Sequence, residues 1–414
     1  IEELYLLSSP FDAEYGRAGG AVLSAVSKSG ANMWHGTGYE YFRNNALDAK
    51  NFFDAANQKI PPLRRNQFGA LLSGPIRRNK AFFLANYEGI RATTSTTMSA
   101  VTPTKLARQG QLPGRTVTVN PLVRPYLALY PEPNGRDFGD GTGEFTSEGT
   151  SPSSENYVTG KVDAVAGGRT RVAIRYTADG ALVFRTEPLH VFTFTDDSRY
   201  HFLHSETQFL QSPSTIHVFR AGFSRVWNRQ DSKQPDSIPA SMSFVPGQPM
   251  GNITFTAGLS EFGGARRDNI SLVPRRFVIN DFQYGYTVTH IRGAHSMRLG
   301  ASFNRVQFNQ QADNSSKGTY SFSSLVDFLQ GTPTSADVVM PGADTIRGWR
   351  NNIYSGFFQD EVRVAPNWST TLGVRYEAYS VPTEVDGKIA TLRNLLKDSA
   401  TTVGGALFEN PSAA

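Results

Sequence analysis

The sequence predicts an all-β chain: the antiparallel wall of a transmembrane β-barrel, present as a partial, open sheet. Three observations carry that prediction. Runs of nine or more residues alternate between apolar and polar side chains, the period of a strand and the length of one tilted across a membrane. The 414 residues combine 19% charged side chains with 12% aromatics and 38 glycines, a composition suited to strands joined by tight turns. The connections also sort by length, short at one end of the strands and long and polar at the other, as in barrels that cross a membrane.

The first element is AEYGRAGGAVLSAVSKSG, residues 13–30. Glu14, Arg17 and a glycine pair, Gly19 and Gly20, precede a run in which Val22, Ser24, Val26 and Lys28 alternate with Ala21, Leu23, Ala25 and Ser27. Glycines allow close backbone approach or positive φ, and side chains this small fit where another wall comes close. An ordinary loop ion pair ahead of an ordinary strand is the plainer reading of the same residues. Hairpins follow. NQFGALLSGPI and KAFFLANYEG meet at Arg77–Arg78–Asn79, ENYVTGKVDAV and RTRVAIRYTA at Gly167–Gly168, and HFLHSETQFLQ and TIHVFRAGFSRVW at Ser212–Pro213–Ser214.

The next hairpin shows the alternation most fully. Phe282, Tyr284, Tyr286 and Val288 alternate with Asp281, Gln283, Gly285 and Thr287; beyond Arg292–Gly293, Met297, Leu299, Ala301 and Phe303 alternate with Ser296, Arg298, Gly300 and Ser302. The apolar set is expected to face lipid, and Gln283, Thr287, Arg298 and Ser302 the lumen. A last hairpin joins NNIYSGFFQDEVRV to the run from Trp368 through Ala365–Pro366–Asn367. Trp34, Trp227 and Trp368 fall at strand ends, where they suit an aromatic girdle or, equally, packing within soluble sheets. The connections 91–154, 229–275 and 309–350 are rich in Pro, Gly, Ser and Asp and read as external loops. Within the last, SFSSLVDFLQG reads as a short helix with Leu325, Phe328 and Leu329 on one face and Gly331 as its stop.

Composition excludes several functions. There is no cysteine, hence no disulfide scaffold and no thiolate metal site. No run approaches the ~18 apolar residues of a membrane helix, and the mean hydropathy is −0.35. The net charge of +5 comes from scattered residues, which points away from a nucleic-acid partner. No catalytic motif is present, and the chain is not read as an enzyme; no cofactor is implied. His201 and His204 are three apart, so on a strand they face opposite ways and cannot share a metal. Asp137, Asp140 and Glu144 lie in a glycine-rich loop that reads as a calcium loop or, more simply, as a turn. Tyr126, Tyr130 and Phe138 are loop aromatics that suit stacking on sugars or, equally, an ordinary solvated loop.

AEYGRAGGAVLSAVSKSG followed by WHGTGYEYFRNNALDAKNFFD resembles the junction between plug and first barrel strand in TonB-dependent receptors, most of all in their Oar-like branch. RRNQFGALLSGPIRRNKAFFLANYEGIR, FSSLVDFLQGTP and GFFQDEVRVAPNWSTTLGVRYEAYSVPTE resemble successive landmarks of that branch, in order. The resemblance implies that residues 1–30 end a plug domain and that 31–414 begin a barrel of roughly 22 strands. Glu14, Arg17, Gly19 and Gly20 would then contact a polar lumen wall. It also implies the outer membrane of a Gram-negative-type bacterium, with lipid and lipopolysaccharide around the wall. A scarce ligand (siderophore, oligosaccharide or peptide) would be captured outside and taken up with the TonB complex. An adhesion or secretion-assisting role on the same barrel is the second reading, and a soluble carbohydrate-binding β protein the third. The chain reads as a piece of a longer one, so its sheet, counted at about eleven strands against a closed even number, is expected to end in two unpaired edges.

Overall fold

Eleven long strands lie side by side in one antiparallel sheet. The structure, a computed structural model, describes residues 2–8, 12–16, 20–50, 60–263, 266–267, 271–312, 315–339, 342–388, 391–392 and 408–409. Two short strands, β1 (Glu3–Leu7) and β2 (Val22–Val26), pair with each other outside the main sheet. The wall comprises β3 (His35–Asn44), β4 (Leu63–Arg77), β5 (Ala81–Pro103), β6 (Thr142–Ala166), β7 (Thr170–Thr186), β8 (Thr193–Ser212), β9 (Thr215–Lys233), β10 (Arg275–Arg292), β11 (His295–Ala312), β12 (Ile346–Ala365) and β13 (Trp368–Tyr379). They pair strictly in chain order, with Thr383–Glu384 adding a short twelfth strand on β12. Strands β3 and β13 do not pair with each other, so the sheet is open.

Five turns close one end of the sheet, at residues 78–80, 167–169, 213–214, 293–294 and 366–367. Their residues match their backbone. Gly167, Gly168 and Gly293 take φ of 61°, 74° and 59°, and Asn79, at 63°, is one of the side chains that tolerates the left-handed region. The other end carries the longer connections 45–62, 104–141, 187–192, 234–274 and 313–345.

Two features of that end differ from the sequence reading. Residues 91–103, 142–154, 229–233, 275, 309–312 and 346–350, read as loop, are strand. Their Ser- and Thr-rich composition hides them, because small polar residues such as Thr102 and Thr142, rather than an apolar stripe, form the face they bury beside Ala100 against the long connections. Cross-strand contacts such as Ser95 Oγ to Thr150 Oγ1, at 3.1 Å, support them instead. At ~3.3 Å per residue the 25 residues of β6 extend about 80 Å, whereas a tilted crossing takes only 9–11 residues.

The second difference is that the long connections fold together. Ala107, Leu127, Tyr130, Phe192, Met250, Phe262, Phe328 and Leu329, drawn from four separate connections, form one buried hydrophobic core. Asn252–Phe255 pairs in parallel with Thr319–Phe322, flanked by Phe262–Gly263 and Ser335–Asp337, in a four-stranded cap sheet. A single helical turn, α1 (Arg124–Leu127), and helix α2 (Leu325–Gln330) pack on it. Ser324 caps α2, its hydroxyl accepting the Asp327 amide at 3.2 Å, and Gly331 ends it at φ +71°. Leu325, Phe328 and Leu329 are buried, on the face the spacing predicts.

Candidate functional site

Alternation gives the wall two faces, and residues 12–16 lie on only one of them. The Glu14 carboxylate accepts from Arg220 of β9 at 3.1 Å and from Arg298 of β11 at 3.1 Å. Asp12 pairs with Arg298 at 3.3 Å and accepts from Gln359 of β12 at 3.1 Å. Arg375 of β13 donates to the Glu14 carbonyl at 3.0 Å, and the Ala13 amide donates to Gln359 at 2.7 Å. Two carboxylates are thus held by arginines from two strands while a third arginine takes the backbone. Arg220 and Arg375 are themselves steadied by Glu206 at 2.8 Å and Glu377 at 2.7 Å.

Of the four residues singled out in this stretch, Glu14 has the contacts just described. Gly20 is exposed with open space around it. Arg17 and Gly19 lie outside the described residues. The sequence reading passed over Asp12, Arg220, Arg375 and Gly16, and had Arg298 facing the lumen without a partner. A Cβ at Gly16 would run into the side chains of Arg375 and Glu377, so the close approach that demands a glycine falls there. Further along, Lys161 of β6 donates to Ser29 Oγ at 2.7 Å. Between β2 and the wall is a cavity of about 610 Å³, lined in part by Ala25, Lys28, Leu84, Tyr157, Arg175 and His204.

Gln283, Thr287, Arg298 and Ser302 occupy the face that carries residues 12–16; by alternation Phe282, Tyr284, Tyr286, Val288, Met297, Leu299, Ala301 and Phe303 occupy the other. Tyr284 and Leu299 are 54% and 53% exposed. Trp34 packs edge-on against Phe83, 5.4 Å between ring centres, near the short-turn end, and Trp368 begins β13 at that same end. Trp227 stands toward the long-connection end with Arg199 over its ring at 4.8 Å. His201 and His204 face opposite ways: His201 Nδ1 meets the Tyr176 hydroxyl at 2.7 Å, while His204 lines the cavity.

The cap offers its own chemistry. Tyr130 is buried and donates to the Ser260 carbonyl at 2.8 Å, so it stacks on no sugar; Tyr126 donates to the Met242 carbonyl at 3.1 Å. Phe138 alone of the three is well exposed. Asp137 accepts the Gly139 amide at 2.8 Å, Asp140 the Thr142 amide at 2.9 Å, and Glu144 the Ser99 hydroxyl at 3.0 Å. Each carboxylate serves its local backbone or neighbour, and no cluster of three metal-ligating residues occurs among the described residues. Arg108 donates to the carbonyls of Leu127, Tyr130 and Pro131 at 3.1, 2.8 and 2.6 Å, pinning the α1 turn to the end of β5. Burial pushes the Glu187 carboxyl up to about 8, against the opposing pull of the Phe192, Val191 and Gly263 amides, and the nearby Glu261 pushes it further. On the cap's surface Leu122, Pro125, Tyr126, Phe244, Tyr320 and Pro333 help line a groove of about 630 Å³ with no charged side chain in its lining.

No curated protein has a significantly similar sequence. Among solved structures the fold is similar to that of the outer membrane transporter YddB from Escherichia coli. The TM-score is 0.54 at 13% identity, over 92% of this chain and 44% of that one. It is also similar to the siderophore receptor PirA from Acinetobacter baumannii, with a TM-score of 0.47 at 14% identity, over 91% of this chain and 43% of that one. The chain therefore spans less than half the length of either. A wall with one apolar and one polar face, short turns at one end and long connections at the other is the architecture of an outer-membrane barrel, which removes the soluble reading. Residues 26–411 match the outer membrane beta barrel domain, and the chain belongs to that family.

Proposed function

We propose that this chain is part of a TonB-dependent receptor that takes up a scarce ligand, with residues 1–30 as the end of its plug and the cap as its external capture surface. One observation carries the reading: Asp12, Ala13 and Glu14 are held across the polar face of the wall by groups from β9, β11, β12 and β13. A segment that spans four strands through side-chain ion pairs and few backbone bonds is positioned yet releasable, since partly exposed pairs each contribute only about 0.2–1 kcal/mol. That suits a plug that must move when a ligand is taken in. Gly16 lets the segment lie close to Arg375 and Glu377. Phe282, Tyr284, Tyr286, Val288, Met297, Leu299, Ala301 and Phe303 face lipid in this reading, with Trp34 and Trp368 in the inner girdle and Trp227 in the outer one. The uncharged groove on the cap is the first contact for ligand.

The test uses the full-length protein in cells. Glu14→Cys with Arg298→Cys, in a background cleared of any cysteine outside these 414 residues, is bridged by a short bismaleimide. Cells are then offered labelled ferric siderophores, maltodextrins and peptides, with and without an intact TonB system. Uptake of one class that needs TonB and is lost on bridging, with surface binding kept, is expected. Uptake that survives bridging would overturn plug movement. Surface binding without internalisation under any condition would replace uptake with adhesion.

A further inference from the structure

The apolar face of the wall ends in a row of arginines on its long-connection side. Arg91 of β5, Arg225 of β9, Arg305 of β11 and Arg350 of β12 each donate to an asparagine of a neighbouring strand. Their partners are Asn156 at 2.8 Å, Asn280 at 3.0 Å, Asn352 at 3.0 Å and Asn309 at 3.0 Å. None of the four forms an ion pair among the described residues. Two further arginines on this face differ: Arg199 is paired with Asp197 at 3.2 Å and Arg229 with Asp231 at 2.7 Å. An amide acceptor orients a guanidinium and leaves its charge whole. Four such charges stand at the level where the apolar belt gives way to polar residues.

Directly below two of them is a groove. Cross-strand register aligns Ala221, Tyr284 and Phe303 in one rung and Phe219, Tyr286 and Ala301 in the rung nearer the turns. The two alanines leave a gap among the four rings, a hollow of about 520 Å³ on the outward face. One rung toward the long connections the aligned residues are Phe223, Phe282 and Arg305, and one further brings Arg225, Asn280 and Gln307. At two residues per rung, each step is about 7 Å.

We propose that this outward surface of β9–β11 binds one acylated phosphate of the outer leaflet, its phosphate on Arg225 and Arg305 and an acyl chain over Ala221 and Ala301. Guanidinium matches phosphate geometry and binds it bidentately. The uncompensated charge selects an anionic headgroup, and the gap between the rings accepts a flexible chain where a flat belt would not. The paired Arg199 and Arg229 mark where this surface ends.

Native mass spectrometry of the full-length protein tests the site. The probes are a bisphosphorylated acyl-disaccharide, phosphatidylglycerol, phosphatidylcholine of the same chains, and inorganic phosphate. Retention of either anionic lipid at least tenfold above phosphatidylcholine is expected, and which of the two is retained identifies the natural source. Arg225→Gln with Arg305→Gln should remove that preference, whereas Arg225→Lys with Arg305→Lys keeps most of it. Ala301→Trp should weaken retention with every arginine in place. Unchanged circular dichroism shows that each variant is folded. Equal retention of the zwitterionic lipid, protection by inorganic phosphate alone, or indifference to the double glutamine variant would overturn the proposal.

Discussion

Replacing Glu187 with glutamine should make the cap insensitive to pH. Its side chain, on a half-buried residue beside the cap core, accepts the Phe192 amide at 2.9 Å and lines a cavity with Glu261 and Arg185. Arg185 is committed to Asp196 at 3.2 Å. Burial raises the folded pKa to about 8, whereas the open cap titrates near 4.5. The sign follows from proton counts. Between these values the closed cap holds one proton more than the open one, so stability is full below 4.5 and falls as pH rises, until it levels above 8. Each unit is 1.36 kcal/mol, so the whole span is about 5 kcal/mol, an upper figure because a buried site relaxes on ionising. Native-state proteolysis of the full-length protein in vesicles, at protease low enough that reclosing outruns cleavage, reads the opening equilibrium. Dividing wild-type rates by those of Glu187→Gln cancels the protease's own pH profile. The ratio should be near one at pH 4.5 and climb up to about tenfold per unit toward pH 8. A flat ratio would refute the buried, proton-bearing carboxyl.

Phe328→Ala, which empties a fully buried site in the cap, should destabilise it by about 3–5 kcal/mol and admit trypsin from outside the cell. Leu299→Arg, at an exposed outward position, should cost about 2–4 kcal/mol near the bilayer midplane, seen as a lower folding yield in lipid vesicles, while Ser302→Arg on the other face should not. Asp12→Ala with Glu14→Ala should loosen residues 12–16, so that a spin label at Ala13 sharpens; an unchanged spectrum would show that the carboxylates do not hold them. For topology, Gln248→Cys in the cap should react with an impermeant maleimide on intact cells and Arg78→Cys in a short turn should not; the reverse pattern would invert the wall.

The wall was readable in the sequence because each of its features is local. Alternation at Phe282–Val288 fixes the two faces of a strand, and Gly167–Gly168 or Asn79 supplies the φ a tight turn needs. The helix at Leu325–Gln330 was equally local, with Ser324 before it and Gly331 after. The cap was not readable. Leu127, Phe192, Phe262 and Phe328 belong to short apolar stretches scattered over four polar connections, and only the folded chain shows that they meet. The outer halves of β5 and β6 were missed for a different reason, since the face they turn to the cap is built of small or polar residues, Ala100, Thr102 and Thr142, that give no apolar period. Near the N-terminus the sequence drew attention to Glu14, which the structure sets between Arg220 and Arg298, and to the Gly19–Gly20 pair rather than Gly16. The arginines opposite Glu14 lie some 200 and more residues away, a pairing that no local pattern encodes.

The parallel pairing of Asn252–Phe255 with Thr319–Phe322 joins two connections that leave the sheet on either side of the β10–β11 hairpin. The pairing ties the two connections into a single cap around one shared core. Once closed it behaves as one body. Exchanging a single connection with that of a related protein would strip Phe328 or Phe262 of its neighbours instead of transplanting a binding preference. The side chains that can change without disturbing that core are those of the exposed rim, such as Leu122, Pro125 and Pro333.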